Sequence, residues 1–199
     1  MAMTQDRQSG SALERLSAAL GEAGRKGPPP VERWNPAYCG EIDMRIAADG
    51  TWFYAGTPIG RMPLVKLFAS ILRRDPERYV LVTPVERVGI AVEDQPFQAV
   101  EMALEGEGQG RRIGFRTNVD DLVEVGPDHP LVFDRGPDGA VKPRVHVRRD
   151  LWARVTRALT YDLVELGEER DVDGTRMYGV AVAGGFVPIA PAAEIAGLR

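Results

Sequence analysis

Closely spaced turn sequences divide most of this chain into short segments. The dipeptides at 49–50 (DG) and 173–174 (DG) and the tetrapeptide at 136–139 (GPDG) favour a reversal of chain direction. Neighbouring segments alternate apolar and polar residues, as in 42–46 (IDMRI). Such short turns join antiparallel neighbours, because a parallel crossover needs about a dozen residues or more. The sequence therefore predicts an α+β protein rich in antiparallel hairpins, and not a doubly wound parallel sheet.

Two segments within this β-rich pattern have the apolar spacing of amphipathic helices. The first is predicted over residues 61–74 and the second over residues 150–161. Pro63 suits the first turn of the first helix, and Asp150 suits the N-cap of the second. A strand is predicted over 163–166, directly after the second helix.

The predicted elements occur in a repeated order. The order strand, strand, helix, strand, strand runs over residues 42–93 and again over 131–189. Any chain of hairpins and helices can show such a repeated order by chance. An ancient duplication of the segment and a coincidence therefore both stay open. We predict two β-rich antiparallel halves that share this motif, with an N-terminal repeat domain over 36–94 and a C-terminal domain over 95–199.

The residues before the two halves have a different pattern. Residues 11–23 have helical apolar spacing, and 27–30 (GPPP) cannot continue a helix. We therefore expect a helix and a proline-rich linker over residues 1–35. This helix covers its own domain or contacts a protein partner.

Charge and cysteine content limit the environment and the partners. The formal net charge is −4, which argues against general binding of a nucleic-acid backbone. The one cysteine, Cys39, rules out an internal disulfide, favours a reducing compartment and is expected to be buried. No apolar segment is long enough to span a bilayer, and the polar N-terminus does not resemble a signal peptide. The expectation is a soluble, cytoplasmic protein.

Motifs for catalysis, metal binding or nucleotide binding are absent from the sequence. There is no HExxH, no CxxC pair and no GxSxG. The glycines at 106, 108 and 110 open no predicted helix, so they are expected to form a hairpin tip. His129 and His146 are expected to be structural. We predict no catalytic residue, no metal and no cofactor. Whether the chain is an enzyme stays open, and the absence of a catalytic motif argues against it.

Three polar clusters lie at or near predicted strand ends. They are 83–87 (TPVER), 93–97 (EDQPF) and 116–118 (RTN). Loops gather binding residues at such places on a rigid scaffold. The same residue types also cap turns, and arginines beside carboxylates also form structural ion pairs. Several arginines that converge would instead suit a phosphate or carboxylate ligand, which a guanidinium binds with two hydrogen bonds.

Three segments resemble an uncharacterised bacterial family named domain of unknown function 1285: residues 39–60 (CGEIDMRIAADGTWFYAGTPIG), 83–97 (TPVERVGIAVEDQPF) and 115–118 (FRTN). The similarity runs from about residue 34 to about residue 168, and it also covers 129–131 (HPL) and 145–148 (VHVR). It implies a duplicated core and a C-terminal half like a pleckstrin-homology domain. It further implies a ligand site between the halves and a conjectured signalling role, with no activity established.

The function predicted from these observations is binding of a small anionic or nucleotide-like ligand between the two halves, with a regulatory output in signal transduction. The predicted ligand-binding residues are Arg45, Arg61, Thr83, Glu86, Arg87, Glu93, Arg116, Thr117 and Asn118. One alternative is an enzyme that uses Glu86, Glu93 or Asp94 as acid or base, which would need a raised carboxyl pKa. Another alternative is a structural protein-interaction module that uses the helix at 11–23.

Overall fold

The computed structural model describes residues 29–136 and 139–196. The helix predicted at 11–23 lies outside the described residues. The chain divides into two compact units, Met1–Pro96 and Phe97–Arg199.

The described part of the first unit contains a six-stranded sheet and one α-helix. Its helix is α1 (Met62–Ser70), and its strands are β1 (Tyr38–Ile46), β2 (Trp52–Tyr54), β3 (Thr57–Pro58), β4 (Leu72–Asp75), β5 (Arg78–Val82) and β6 (Arg87–Val92). The strand order across the sheet is β3-β2-β1-β6-β5-β4. Strands β1 to β3 form one antiparallel meander, and β4 to β6 form another. A parallel pair, β1 with β6, joins the two meanders.

The core of the first unit lies between its sheet and α1. The rings of Trp52 and Phe68 stack with their centres 6.3 Å apart. Met44, Ile46 and Leu81 are fully buried with them. The predicted hydrophobic pattern of β1 and α1 thus places the apolar face of the sheet against the helix.

Over residues 97–136 and 139–196, the second unit contains a six-stranded sheet, a three-stranded sheet and two α-helices. Its strands are β7 (Phe97–Glu105), β8 (Arg112–Thr117), β9 (Leu122–Glu124), β10 (Leu131–Arg135), β11 (Val141–Arg148), β12 (Leu151–Val155), β13 (Glu168–Val172), β14 (Thr175–Val182) and β15 (Gly185–Pro191), and its helices are α2 (Arg157–Glu165) and α3 (Ala192–Ala196). The larger sheet has the order β10-β11-β12-β7-β8-β9, with β12 and β7 parallel. Strands β13, β14 and β15 form the smaller antiparallel sheet.

The α+β class and the β-rich two-unit organisation are confirmed, with differences in detail. The repeated motif has three strands on each side of the helix, because β3 and β4 are added to the first copy and β12 and β13 to the second. Parallel pairs also occur, where the prediction had antiparallel neighbours alone. The likeness of the C-terminal half to a pleckstrin-homology domain stays a prediction.

The first predicted helix is shorter than expected. Helix α1 ends at Ser70, and Arg73 and Arg74 lie on β4 instead of in its last turn. Strand β4 pairs with β5, so that Leu72 lies opposite Leu81. Sheet pairing and the burial of Leu72 outweigh the helix propensity of leucine and arginine here. Asp75 ends β4, and Pro76 and Glu77 form the hairpin turn to β5, where the end of a helix was expected.

The second predicted helix is misplaced. Residues 151–155 form β12, in which Leu151, Ala153 and Val155 are buried in alternation. Asp150 lies in the turn before β12 and not at an N-cap, and the strand predicted over 163–166 is the end of α2. The apolar positions fit both a helical and an alternating period, and pairing with β11 and β7 selects the strand.

Cys39 also departs from expectation. It is exposed on β1 and not buried. Its thiol lies 3.4 Å from the carbonyl oxygen of Ala37.

Candidate functional site

Arg45 and Glu93 contact each other in the first unit. The Arg45 guanidinium donates to the Glu93 carboxylate and lies 4.2 Å from the centre of the Phe53 ring. The other Glu93 oxygen accepts from the backbone N–H of Ala48 at 2.9 Å. Two of the nine predicted ligand-binding residues are thus brought together as an ion pair that also holds a turn.

Thr83 and Glu86 lie in the turn between β5 and β6. The Thr83 hydroxyl accepts from the backbone N–H groups of Val85 at 3.4 Å and Glu86 at 3.1 Å. It also donates to the Glu86 carbonyl oxygen at 3.2 Å. Thr83 is fully buried, so its hydroxyl satisfies backbone groups of the turn.

Arg87 and Arg73 share the carboxylate of Asp75. Arg87 donates to it at 3.1 Å, and the Arg73 Nε donates to its other oxygen at 2.8 Å. Arg73 also donates to the carbonyl oxygens of Val31 and Trp34, each at 2.8 Å. The sequence prediction included Arg87 and missed Arg73, which holds the segment before β1 against β4.

Arg61 occupies the N-cap position of α1 and makes no side-chain capping bond there. Its side chain is exposed. No described contact between Arg61 and the other predicted residues of the first unit supports a shared site.

In the second unit, Thr117 and Asn118 hold the end of β8. The buried Thr117 hydroxyl accepts from the backbone N–H groups of Val119 at 3.3 Å and Asp121 at 3.0 Å. The Asn118 side-chain oxygen accepts from the backbone N–H of Gln98 at 3.0 Å. These two side chains tie the β8–β9 turn to the start of β7.

Arg116 lies between two carboxylates on the exposed face of β8. Its Nε donates to Glu101 at 2.7 Å, Nη2 donates to the second Glu101 oxygen, and Nη1 donates to Asp120 at 2.8 Å. We call Arg116, Glu101 and Asp120 the lower triad. It carries one positive and two negative charges.

A second triad, which the sequence prediction missed, lies further along the same strand. The Arg112 Nε donates to Glu124 at 2.9 Å, and its Nη1 donates to Glu105 at 2.9 Å. We call Arg112, Glu105 and Glu124 the upper triad. It also carries one positive and two negative charges.

A groove of about 430 Å³ lies on this face between the two triads. Its lining residues are Glu101, Met102, Ala103, Gly114, Phe115, Arg116, Leu122, Val123 and Glu124. The strand register places Ala103 beside Gly114 in the row between the two arginines. Glu124 lies on the other side of Gly114 and accepts from Arg112, so the groove lies over Ala103 and Gly114, neither of which has a side chain longer than a methyl group.

Gly114 is not required by crowding. A Cβ atom added there would lie 3.8 Å from the Val123 carbonyl oxygen and 4.0 Å from the Ala103 Cβ, which are ordinary contacts. Glycine inside a strand weakens it, and it often marks a place where a ligand or another backbone approaches closely. Crowding in the fold therefore does not explain the glycine at position 114.

The triads set the charge state of their carboxylates. Hydrogen bonds from Arg116 lower the pKa of Glu101, and hydrogen bonds from Arg112 lower the pKa of Glu124. The same contacts raise the pKa of both arginines. All of these groups are therefore ionised near neutral pH, and the groove carries fixed charges at both ends.

The described residues contain no ready metal site. Within 29–136 and 139–196, no three His, Cys, Asp or Glu side chains are grouped so that they could hold a metal ion. His129 and His146 bond backbone carbonyl oxygens: Nδ1 of His129 lies 3.1 Å from the His146 oxygen, and Nδ1 of His146 lies 3.0 Å from the Asp128 oxygen. No helix in these ranges is long and apolar enough to cross a membrane.

Comparison with known proteins places both units among proteins of undescribed activity. Two family models match: "Domain of unknown function (DUF1285), N-terminal domain" over residues 29–95, and "Protein of unknown function (DUF1285), C-terminal domain" over residues 96–189. No curated protein matches the chain.

Two crystal structures of proteins with the same family description are also similar. One, from Silicibacter pomeroyi DSS-3, is 43% identical with a TM-score of 0.82, and the match covers 91% of this chain and 97% of that protein. The other, from Shewanella baltica OS155, is 29% identical with a TM-score of 0.49, and the match covers 62% of this chain and 91% of that protein.

Proposed function

Because the chain belongs to the DUF1285 family, whose descriptions give no activity, its function must be argued from its own residues, and we propose that it is a binding protein. The groove between the upper and lower triads is the proposed ligand site. A regulatory output in signal transduction, which the sequence resemblance implies, is part of the same proposal.

The observation that carries this proposal is the row of Ala103 and Gly114 between two fixed arginines. The lining residues Arg116 and Glu124 are each held in ion pairs, Arg116 by Glu101 and Asp120 and Glu124 by Arg112, so these walls of the groove are positioned before any ligand arrives. Preorganised polar groups around a depression of about 300 Å³ or more are typical of binding sites. The groove of about 430 Å³ is within that range.

The described carboxylates favour binding over acid–base catalysis. A catalytic acid near neutral pH needs a raised carboxyl pKa. The carboxyl groups of Asp49, Glu101 and Glu124 each have a lowered pKa. Glu93, which the enzyme alternative named, has both oxygens engaged by Arg45 and Ala48.

The anionic or nucleotide-like ligand predicted from the sequence would meet paired arginines. To bind Arg116, an anion must displace Glu101 or Asp120, and the displaced carboxylate would remain beside it. Each triad has one more negative than positive charge, so the surroundings favour a ligand without net negative charge. The site of nine ligand-binding residues predicted from the sequence stays a hypothesis for the binding of such an anion.

Two-dimensional amide NMR of the full chain tests the proposal. The ¹⁵N-labelled protein is titrated with nucleotides, phosphorylated metabolites and short peptides of either charge. A ligand of the groove shifts the amides of residues 101–105, 112–116 and 122–124 in a saturable way. The proposal fails if each compound that binds shifts only other residues, or if no compound binds.

A pair of glycine substitutions locates the site. Gly114→Leu fills the groove and is expected to abolish those shifts. Gly185→Leu is the matched control, because an added Cβ at Gly185 meets no atom within 4 Å and Gly185 lies outside the groove lining.

A further inference from the structure

From the charge and spacing of the two triads, we propose that the groove takes an extended peptide segment of a protein partner with the pattern basic–x–bulky apolar–x–basic. This inference rests on the proposed binding function and names its ligand class. The peptide lies along β8 on the exposed face of the sheet. Its two basic side chains contact the two triads, and its central apolar side chain enters the groove between them.

The spacing of the groove matches that of an extended peptide. Arg112, Gly114 and Arg116 alternate with the buried Ile113 and Phe115, so the three share one face of β8. Residues two apart on a strand are about 6.6 Å apart along its axis. Every second side chain of an extended peptide repeats at the same distance, so three of its side chains can align with 112, 114 and 116.

The charge of each triad favours a basic side chain. The upper triad places Glu105 and Glu124 around Arg112, and the lower triad places Glu101 and Asp120 around Arg116. Each therefore has an excess of one negative charge. A carboxylate has about four lone-pair positions, so it can accept from a lysine of the partner and keep its bond to the arginine. An anionic peptide would instead add to the excess negative charge.

The centre of the groove favours an apolar side chain. Its floor is the backbone of Gly114 and the methyl group of Ala103, and the Glu124 carboxylate beside Gly114 accepts from Arg112 with both oxygens. Leu122 lies at its edge, across from Arg116, and is 77% exposed. A leucine-sized side chain seated here would cover Leu122 and remove both apolar surfaces from water.

Peptides that differ only in arrangement test the geometry. The probe is a seven-residue peptide with lysine at its second and sixth positions, leucine at its fourth, and serine or glycine elsewhere. A matched peptide exchanges one lysine with its neighbour, which moves that charge to the opposite face. Binding is measured by amide NMR on the full ¹⁵N-labelled chain. We expect the probe to shift residues 101–105 and 112–116, and the matched peptide to bind at least about fivefold more weakly.

Protein variants test the assigned contacts. Glu101→Gln with Glu105→Gln removes one carboxylate from each triad and should weaken the probe about five- to tenfold, with the loss reduced at high salt. Gly114→Leu should abolish groove binding. Ala103→Leu fills the same row from an exposed position, so it replaces Gly114→Leu if that variant does not fold.

The outcomes separate this inference from the proposed function. If nucleotides or phosphorylated metabolites shift the groove amides and the probe does not, the groove binds a ligand and the peptide assignment is wrong. Equal binding of both peptides, or of a glutamate version of the probe, also overturns it. If no compound shifts the groove amides, both the inference and the proposed function fail.

Discussion

Thr83 and Thr117 close turns in the same way in the two units. Each is fully buried at the end of a strand. The Thr83 hydroxyl accepts from the backbone N–H of Glu86 at 3.1 Å, and the Thr117 hydroxyl accepts from the backbone N–H of Asp121 at 3.0 Å. Two residues that the sequence proposed for ligand binding therefore use their hydroxyl oxygens on the backbone of their own turns.

Replacing either threonine by valine is expected to lower stability. Valine keeps the branched shape but removes the acceptor that the turn N–H groups use, which costs about 1 kcal/mol. Urea unfolding of Thr83→Val and Thr117→Val measures the change in the free energy of unfolding.

Serine provides the matched substitution, because it keeps the hydroxyl. We expect Thr83→Ser and Thr117→Ser to lose less stability than the valine variants. Thr57→Val, at an exposed position of β3, should have little effect. A valine variant as stable as the natural protein would show that the hydroxyl is not needed by the turn.

Arg73→Ala is expected to destabilise far more than Arg116→Ala. The Arg73 side chain is 14% exposed, and its loss removes the donor to Val31 and Trp34 as well as a partner of Asp75. We expect a cost of about 2–3 kcal/mol. Arg116 is more exposed, and water can solvate Glu101 and Asp120 after its removal, so the protein should remain folded with nearly its original stability.

Thermal and urea unfolding of both variants make this comparison. If Arg116→Ala destabilises as much as Arg73→Ala, the lower triad is a structural ion-pair network and not the wall of a binding groove. If Arg116→Ala instead stays folded, a ligand titration of this variant tests whether the chemical shifts of the groove amides still change.

The hairpins could be predicted because turn chemistry is local. The sequences at 49–50 and 173–174 lie in turns between paired strands, and the family resemblance is confirmed by both family models. The helix limits could not be predicted in the same way. Leu72 and residues 151–155 fit a helical period, but sheet pairing places them on β4 and β12.

The groove could not be predicted from spacing along the chain. Its formation depends on register, which places Ala103 beside Gly114 and Glu101 beside Arg116. One signal was present in the sequence: a glycine at 114 inside an alternating strand, with arginines at 112 and 116. The carboxylate partners of those arginines lie on other strands, so their pairing requires the folded sheet.

Gly179→Ala is expected to disrupt the pairing of β14 with β15. An added Cβ would lie 2.4 Å from the Val187 carbonyl oxygen and 2.8 Å from the Pro188 Cα, so the backbones must separate. We expect a loss of at least about 2 kcal/mol in the free energy of unfolding. Hydrogen exchange should show faster exchange along β14 and β15.

Gly185→Ala is the matched control for that substitution. It lies on β15, and its added Cβ meets no atom within 4 Å. Its effect on stability should be close to zero. If Gly179→Ala is as stable as Gly185→Ala, the close approach of the two backbones at Gly179 is wrong.

The carboxyl groups of Glu101 and Glu124 should each depend on a different arginine. Hydrogen bonds from Arg116 lower the pKa of Glu101, and those from Arg112 lower the pKa of Glu124. A carboxyl group with a lowered folded pKa stabilises the fold above its unfolded pKa, and this contribution is lost as pH falls through the folded pKa. Arg116→Gln should raise the pKa of Glu101 toward its ordinary value and leave Glu124 unchanged, and Arg112→Gln should do the reverse. Carbon-detected NMR titration of the glutamate side chains measures both, and an equal response of the two carboxyl groups to either substitution would show that the triads are not separate.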